Sequence, residues 1–141
     1  MQKIYSILLI FLSLVNFAKG ENMQIVLSFE NEKFIVDLED NPATRDFVRL
    51  LPLELEFSDY VGKEKISPAL PKRLDTKGLN GYTPKIGDLF YFSPWGNLGI
   101  FYEIQPFHNG LVKFGTFKPQ ELAKIKAKNE NFRIKIERIE Q

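Results

Sequence analysis

The chain has 141 residues, 44% of them hydrophobic, with 19 basic and 18 acidic side chains and no cysteine. So even a charge balance gives no electrostatic footprint for DNA, RNA or an anionic membrane surface. The missing thiols exclude disulfides, zinc–thiolate sites and cysteine nucleophiles, so the fold must rest on its hydrophobic core.

The first twenty residues read as an export signal. Lys3 supplies a positive start, IYSILLIFLSLVNF an apolar core, and Ala18-Lys19-Gly20 the small residues at −3 and −1 of a cleavage site. A spanning anchor usually needs about 20 apolar residues, and this run is shorter and includes Ser13 and Asn16; retention as an anchor is the alternative. Cleavage after Gly20 leaves one domain, residues 21–141, with 17 basic and 18 acidic side chains. Its expected location is the periplasm or the medium, with no membrane contact once the signal is removed.

From Met23 onward the pattern has period two. QIVLSF puts Ile25, Leu27 and Phe29 on one face and KFIVDL does the same with Phe34, Val36 and Leu38, so a hairpin across the polar ENE is expected. DNPATRDFVRLLP then changes to helical spacing. Asp40 or Asn41 is the N-cap, Pro42 opens the helix, Ala43, Phe47, Leu50 and Leu51 face inward, and Pro52 stops it. LELEFSDY returns to alternation, with EKIS as a short partner strand. Residues 68–87 hold no sustained period and form a long loop, a class that tends to be functional or mobile.

After the Gly87-Asp88 turn, LFYF, LGIFYEI and LVKFGTF are strands separated by SPWGN and QPFHNG. A second helix starts at Pro119, with Leu122 and Ile125 inward, and FRIKIER closes the chain as a strand. About eight short strands and two short helices make a mainly β protein, a closed β-barrel capped by helices.

Chemistry is sparse. His108 is the only histidine, too few for a zinc or iron site, and no Asp-rich loop offers calcium ligands. No serine sits in a nucleophile elbow. Asp59 and Glu64 flank a turn, but both are expected to be solvated with Lys63 and Lys65 as partners, and acid–base work needs a buried carboxyl. The glycines at 78, 81 and 87 do not open a helix after a strand, so there is no phosphate cradle. Neither a metal nor a cofactor is expected.

The aromatics are the informative class. On LFYF either Phe90 and Phe92 or Tyr91 must point away from the core. Phe90, Phe92 and Phe101 read as packing residues, whereas Trp95 in its turn and Tyr102 at a strand end sit where a barrel rim would be. An apolar pocket with polar handles is one use of such a face.

GDLFYFSPWGNLGIFY, with DNPATRDFVRLLPLELEFSDYVGKEKI and LPKRLDT before it, resembles the small bacterial cyclophilin-like domain proteins over nearly all of residues 23–136. The resemblance implies a cyclophilin-type closed β-barrel with helices at its ends. It implies no activity: the Phe-His-Arg and Phe-Met-Gln-Gly-Gly stretches that serve prolyl isomerases of that fold are missing, and Arg45, Arg49 and Arg73 lie in the helix and loop. Fold alone does not decide function. The expected function is therefore binding of a small apolar or aromatic ligand, or of a peptide, in a rim groove. Tyr91, Trp95, Asn97 and Tyr102 would build it, with Arg45 or the loop 68–87 as a lid. A divergent peptidyl-prolyl isomerase is the alternative.

Overall fold

A computed structural model describes residues 23–139; the signal segment expected at residues 1–20 lies outside them. Eight strands are observed: β1 (Gln24–Phe29), β2 (Glu32–Asp37), β3 (Leu53–Tyr60), β4 (Glu64–Ala69), β5 (Asp88–Phe92), β6 (Asn97–Phe101), β7 (Leu111–Thr116) and β8 (Phe132–Arg138). Among the described residues two helices accompany them, α1 (Pro42–Arg49) and α2 (Pro119–Lys126). The order around the sheet is β2-β1-β8-β3-β4-β6-β5-β7, with every neighbour antiparallel.

The sheet curls into a nearly closed barrel whose seam lies between β2 and β7. No ladder spans it. Instead Glu39 N–H donates to the Phe114 carbonyl at 2.8 Å and the Asn41 side-chain amide to the Lys113 carbonyl at 3.3 Å. Gly115 makes this approach possible, because a Cβ there would stand 2.6 Å from the Asp37 carbonyl oxygen.

The helices plug opposite ends, as the strand directions require: α1 follows β2, which runs one way, and α2 follows β7, which runs the other. Asn41 caps α1. Its side chain accepts from Thr44 N–H at 2.9 Å while Thr44 Oγ1 accepts from Asn41 N–H at 3.1 Å, so two orphan donors are satisfied reciprocally. The helix drives Phe47 against Phe114, ring centroids 5.2 Å apart. At the other end Phe29 sits 5.4 Å from both Phe34 and Phe132, and α2 adds its buried Ile125 to the same core.

The loop after β4 is tethered at several points. Leu70 and Leu74 are buried in the main core, Leu74 N–H donates to the Tyr91 hydroxyl at 3.2 Å, and Asp75 N–H donates to Asp46 at 2.8 Å. Farther on, Tyr82 donates to the buried Asp88 at 3.0 Å, which also accepts from Lys85 N–H and the Thr116 hydroxyl. These contacts fasten the loop to the barrel and to α1 at separate points, with exposed residues between them.

Candidate functional site

The pairing order creates the site. β6 and β7 both flank β5 and both run antiparallel to it. The connection 102–110 must therefore travel back along β5 before β7 can begin. It does so on the outside of the barrel, where it covers the outward side chains of β5 and β6 and leaves a groove of about 240 Å³ beneath it.

Phe90 and Phe101 form the floor, stacked with centroids 4.0 Å apart and planes 14° from parallel, and Leu111 packs beside them. Gly99 is paired with Phe90 and a Cβ on it would run into the Phe90 ring, so a bare glycine is what lets that ring lie flat across the strand. One wall is Trp95, edge-to-face with Phe92 at 5.4 Å and 83° and with Tyr60 at 5.5 Å and 87°. Gln105, Pro106, Phe107 and His108 supply the roof. Trp95, Phe107 and Tyr60 keep 49%, 56% and 39% of their surface exposed.

The polar groups are few. Glu64 stands on the outer face of β4, directly across from Tyr60 on β3 and Phe101 on β6. Burial among these rings, with the charge of Asp59 nearby, pushes its carboxyl up to about 7. It has no hydrogen-bond or ion-pair partner among the described residues. His108 Nδ1 accepts from Gly110 N–H at 2.9 Å, which leaves Nε2 as the donor of the neutral ring. Gln105 Nε2 is buried and unpartnered among the described residues.

Strand alternation separates Glu64 from the lysines expected to pair with it. Lys65 turns to the other face, is buried, and donates to the Lys128 carbonyl at 2.7 Å and to Asp59 at 3.3 Å. Lys65 thus places a cation beyond the C-terminal end of α2, where the helix dipole favours one. Asp59 and Glu64 do not form a pair sharing one role.

Of the residues expected to build the groove, only Trp95 lines it. Tyr91 points inward, fully buried, with its ring 6.3 Å from Phe114 and its hydroxyl against Leu74 N–H. Asn97 is buried at the start of β6, where its side-chain amide donates to the Ser67 carbonyl at 3.0 Å. Tyr102 donates to Asp59 and lies under two ammonium groups, Lys65 and Lys126 Nζ each 5.6 Å from its centroid. Burial first and the Asp59 hydrogen bond second push its hydroxyl up to about 12, and the same bond holds Asp59 below the usual carboxylate range. Arg45 is exposed on α1 and paired with Asp40 at 2.8 Å. These four are not brought together with Trp95. Phe90 and Phe101 are buried packing residues, as expected, in a small cluster of their own with Phe92 against it, and the same three rings also form the groove's floor and wall. Tyr60, Glu64, Gln105 and Phe107 line the groove without a sequence signal that marks them for it. Among the described residues no group of three or more potential metal ligands gathers.

Comparison with known proteins agrees with this architecture. The cyclophilin-like family model matches residues 27–137, and the chain belongs to that family. Among solved structures it is similar to a hypothetical protein from Archaeoglobus fulgidus, with a TM-score of 0.60 at 16% identity, covering 84% of this chain and 95% of that one. At that identity the likeness is one of fold. No curated protein matches the sequence.

Proposed function

We propose that this cyclophilin-like domain is a binding module that takes a small apolar or aromatic group, free or carried on a peptide, into the outer-face groove. The observation that carries the reading is the open aromatic surface around it: Trp95, Tyr60 and Phe107 remain substantially wet although they face one cavity. A cavity of about 240 Å³ is below the usual range for drug-sized ligands, which favours one head group or side chain as occupant. In this reading the module works outside the cytoplasm, which the signal-like sequence of residues 1–20 supports.

Prolyl isomerisation is the second reading. It requires no covalent step, only tighter binding of the twisted amide than of the ground state. Among the described residues no arginine or lysine lines the groove, so the hydrogen bond to such an amide would fall to Gln105 Nε2 or His108 Nε2. A protease-free isomerisation assay on a proline peptide decides it, and a rate equal to the uncatalysed one at high protein concentration retires it.

Trp95 is the only tryptophan, so its emission reports directly on the groove. Titration with a panel of small aromatic ligands and apolar peptides is expected to give a saturable change. The Trp95→Ala variant, followed by calorimetry, is expected to lose that binding and to stay folded, its stability falling by about 2–3 kcal/mol for the half of the ring that is buried. Unfolding of Trp95→Ala, or silence of both fluorescence and calorimetry across the panel, would make Trp95 a packing residue and end the proposal.

A further inference from the structure

Resting on the groove reading above, we infer that the group it takes is an organic cation, an ammonium held against aromatic walls with Glu64 as its counter-ion. The inference concerns charge, which the aromatic surface alone does not specify. Register places Glu64 between two aromatic neighbours, Tyr60 and Phe101, on the side of β4 that faces the cavity. Trp95 stands nearly perpendicular to both Tyr60 and Phe92, so ring surfaces meet the cavity from different directions. Aromatic faces carry negative potential and attract alkylammonium groups, and desolvation strengthens the attraction. A quaternary ammonium, with no N–H to hydrate, loses less than a primary one on entering an apolar cavity.

Glu64 supplies the second half of the match. Among the described residues it is the only acidic residue lining the cavity, and no lysine or arginine lines it. An unpaired, half-buried carboxylate is costly, and a bound cation would remove that cost. The groups around it do not substitute for one. Asp59 on β3 and Glu103 after β6 are negative, Tyr60 and Tyr102 are neutral phenols, and Lys65 is committed to Asp59 and the Lys128 carbonyl. Lys63 lies in the β3–β4 turn, and no ion pair joins it to Glu64. His108 on the crossing segment spends Nδ1 on Gly110 N–H. The charge that completes the site must come from the ligand.

The test compares choline with 3,3-dimethylbutan-1-ol, its uncharged isostere, by titration of Trp95 emission. At pH 8 choline is expected to bind at least about tenfold more tightly. The preference should shrink toward parity by pH 5.5, because the carboxyl titrates near 7 and only its ionised form attracts the cation. In Glu64→Gln the preference is expected to vanish at both pH values, and the wild-type pH series reads the same effect without any substitution.

Equal or tighter binding of the neutral isostere at pH 8 overturns the inference while leaving the groove reading intact. A choline preference that survives in Glu64→Gln overturns Glu64 as counter-ion. Failure of choline to bind at all overturns the inference, and only the wider ligand panel then decides whether the groove reading falls with it.

Discussion

On the inner face of the β5–β6 ladder, Leu89, Tyr91, Leu98 and Ile100 are sealed in the main core. On the outer face, Phe90, Phe92 and Phe101 are covered by one crossing segment that leaves Trp95, Tyr60 and Phe107 in contact with water. Both faces are apolar, and they differ in what closes them. The inner face is closed by a barrel and two helical plugs. The outer one is roofed by a nine-residue excursion with Ile104 and Phe107 exposed along it. Apolar surface that the fold itself does not finish burying is the surface available to a ligand.

The contrast can be broken most severely from inside. Phe114 is fully buried and touches both Phe47 of the α1 plug and Tyr91. Phe114→Ala is expected to cost about 3–5 kcal/mol, read from urea denaturation. Loss of less than about 1 kcal/mol would mean that the plug does not support the core as described.

A substitution on the outer face should be milder and more selective. Gly99→Ala pushes a methyl into the Phe90 ring, and overpacking of this kind costs about 1–3 kcal/mol. Because the displaced ring is the groove floor, ligand-induced change in Trp95 emission should fall as well. A variant with unaltered stability and unaltered ligand response would show that the stacked floor is irrelevant to the groove.

The smallest effect is electrostatic. Glu64 titrates at about 7 in the folded protein against an ordinary value of 4.5. The folded state therefore holds a proton that the unfolded chain releases, so ligand-free stability falls as pH rises from about 4.5 to 7 and levels off above. Glu64→Gln removes that loss. Its stability should match the parent near pH 4 and exceed it by about 1 kcal/mol at pH 8, a figure reduced for solvent screening at a half-exposed site. Identical denaturation midpoints at pH 8 would argue that the carboxylate is well solvated.

Much of the barrel is legible in the sequence, because one-sided strands announce their buried face. Ile25, Leu27, Phe34, Val36, Ile134 and Ile136 all point as their alternation predicts. The start of α1 at Pro42 is equally plain, and the structure decides for Asn41 over Asp40 as its N-cap. The groove is not legible for two physical reasons. DLFYF is apolar on both sides, so alternation divides Phe90 from Tyr91 without saying which belongs inside. And β6 does not pair with β7, although neighbours in sequence usually pair. Reading QPFHNG as a simple turn hides the crossing segment, and with it the roof that carries Gln105, Phe107 and His108. Trp95 alone stands out from composition, because its turn shows on either pairing.

The place of β8 has a consequence for how the chain reaches this state. β8 is the last strand in sequence, yet it lies between β1 and β3. Until residues 132–138 are available, the β1–β2 hairpin has no ladder to the strands from β3 to β7. Joining them closes a loop of most of the domain, which is entropically expensive and slow. A chain delivered from its N-terminus onward thus cannot complete its barrel during delivery. It must wait for its final strand, with both halves of the core exposed in the interval.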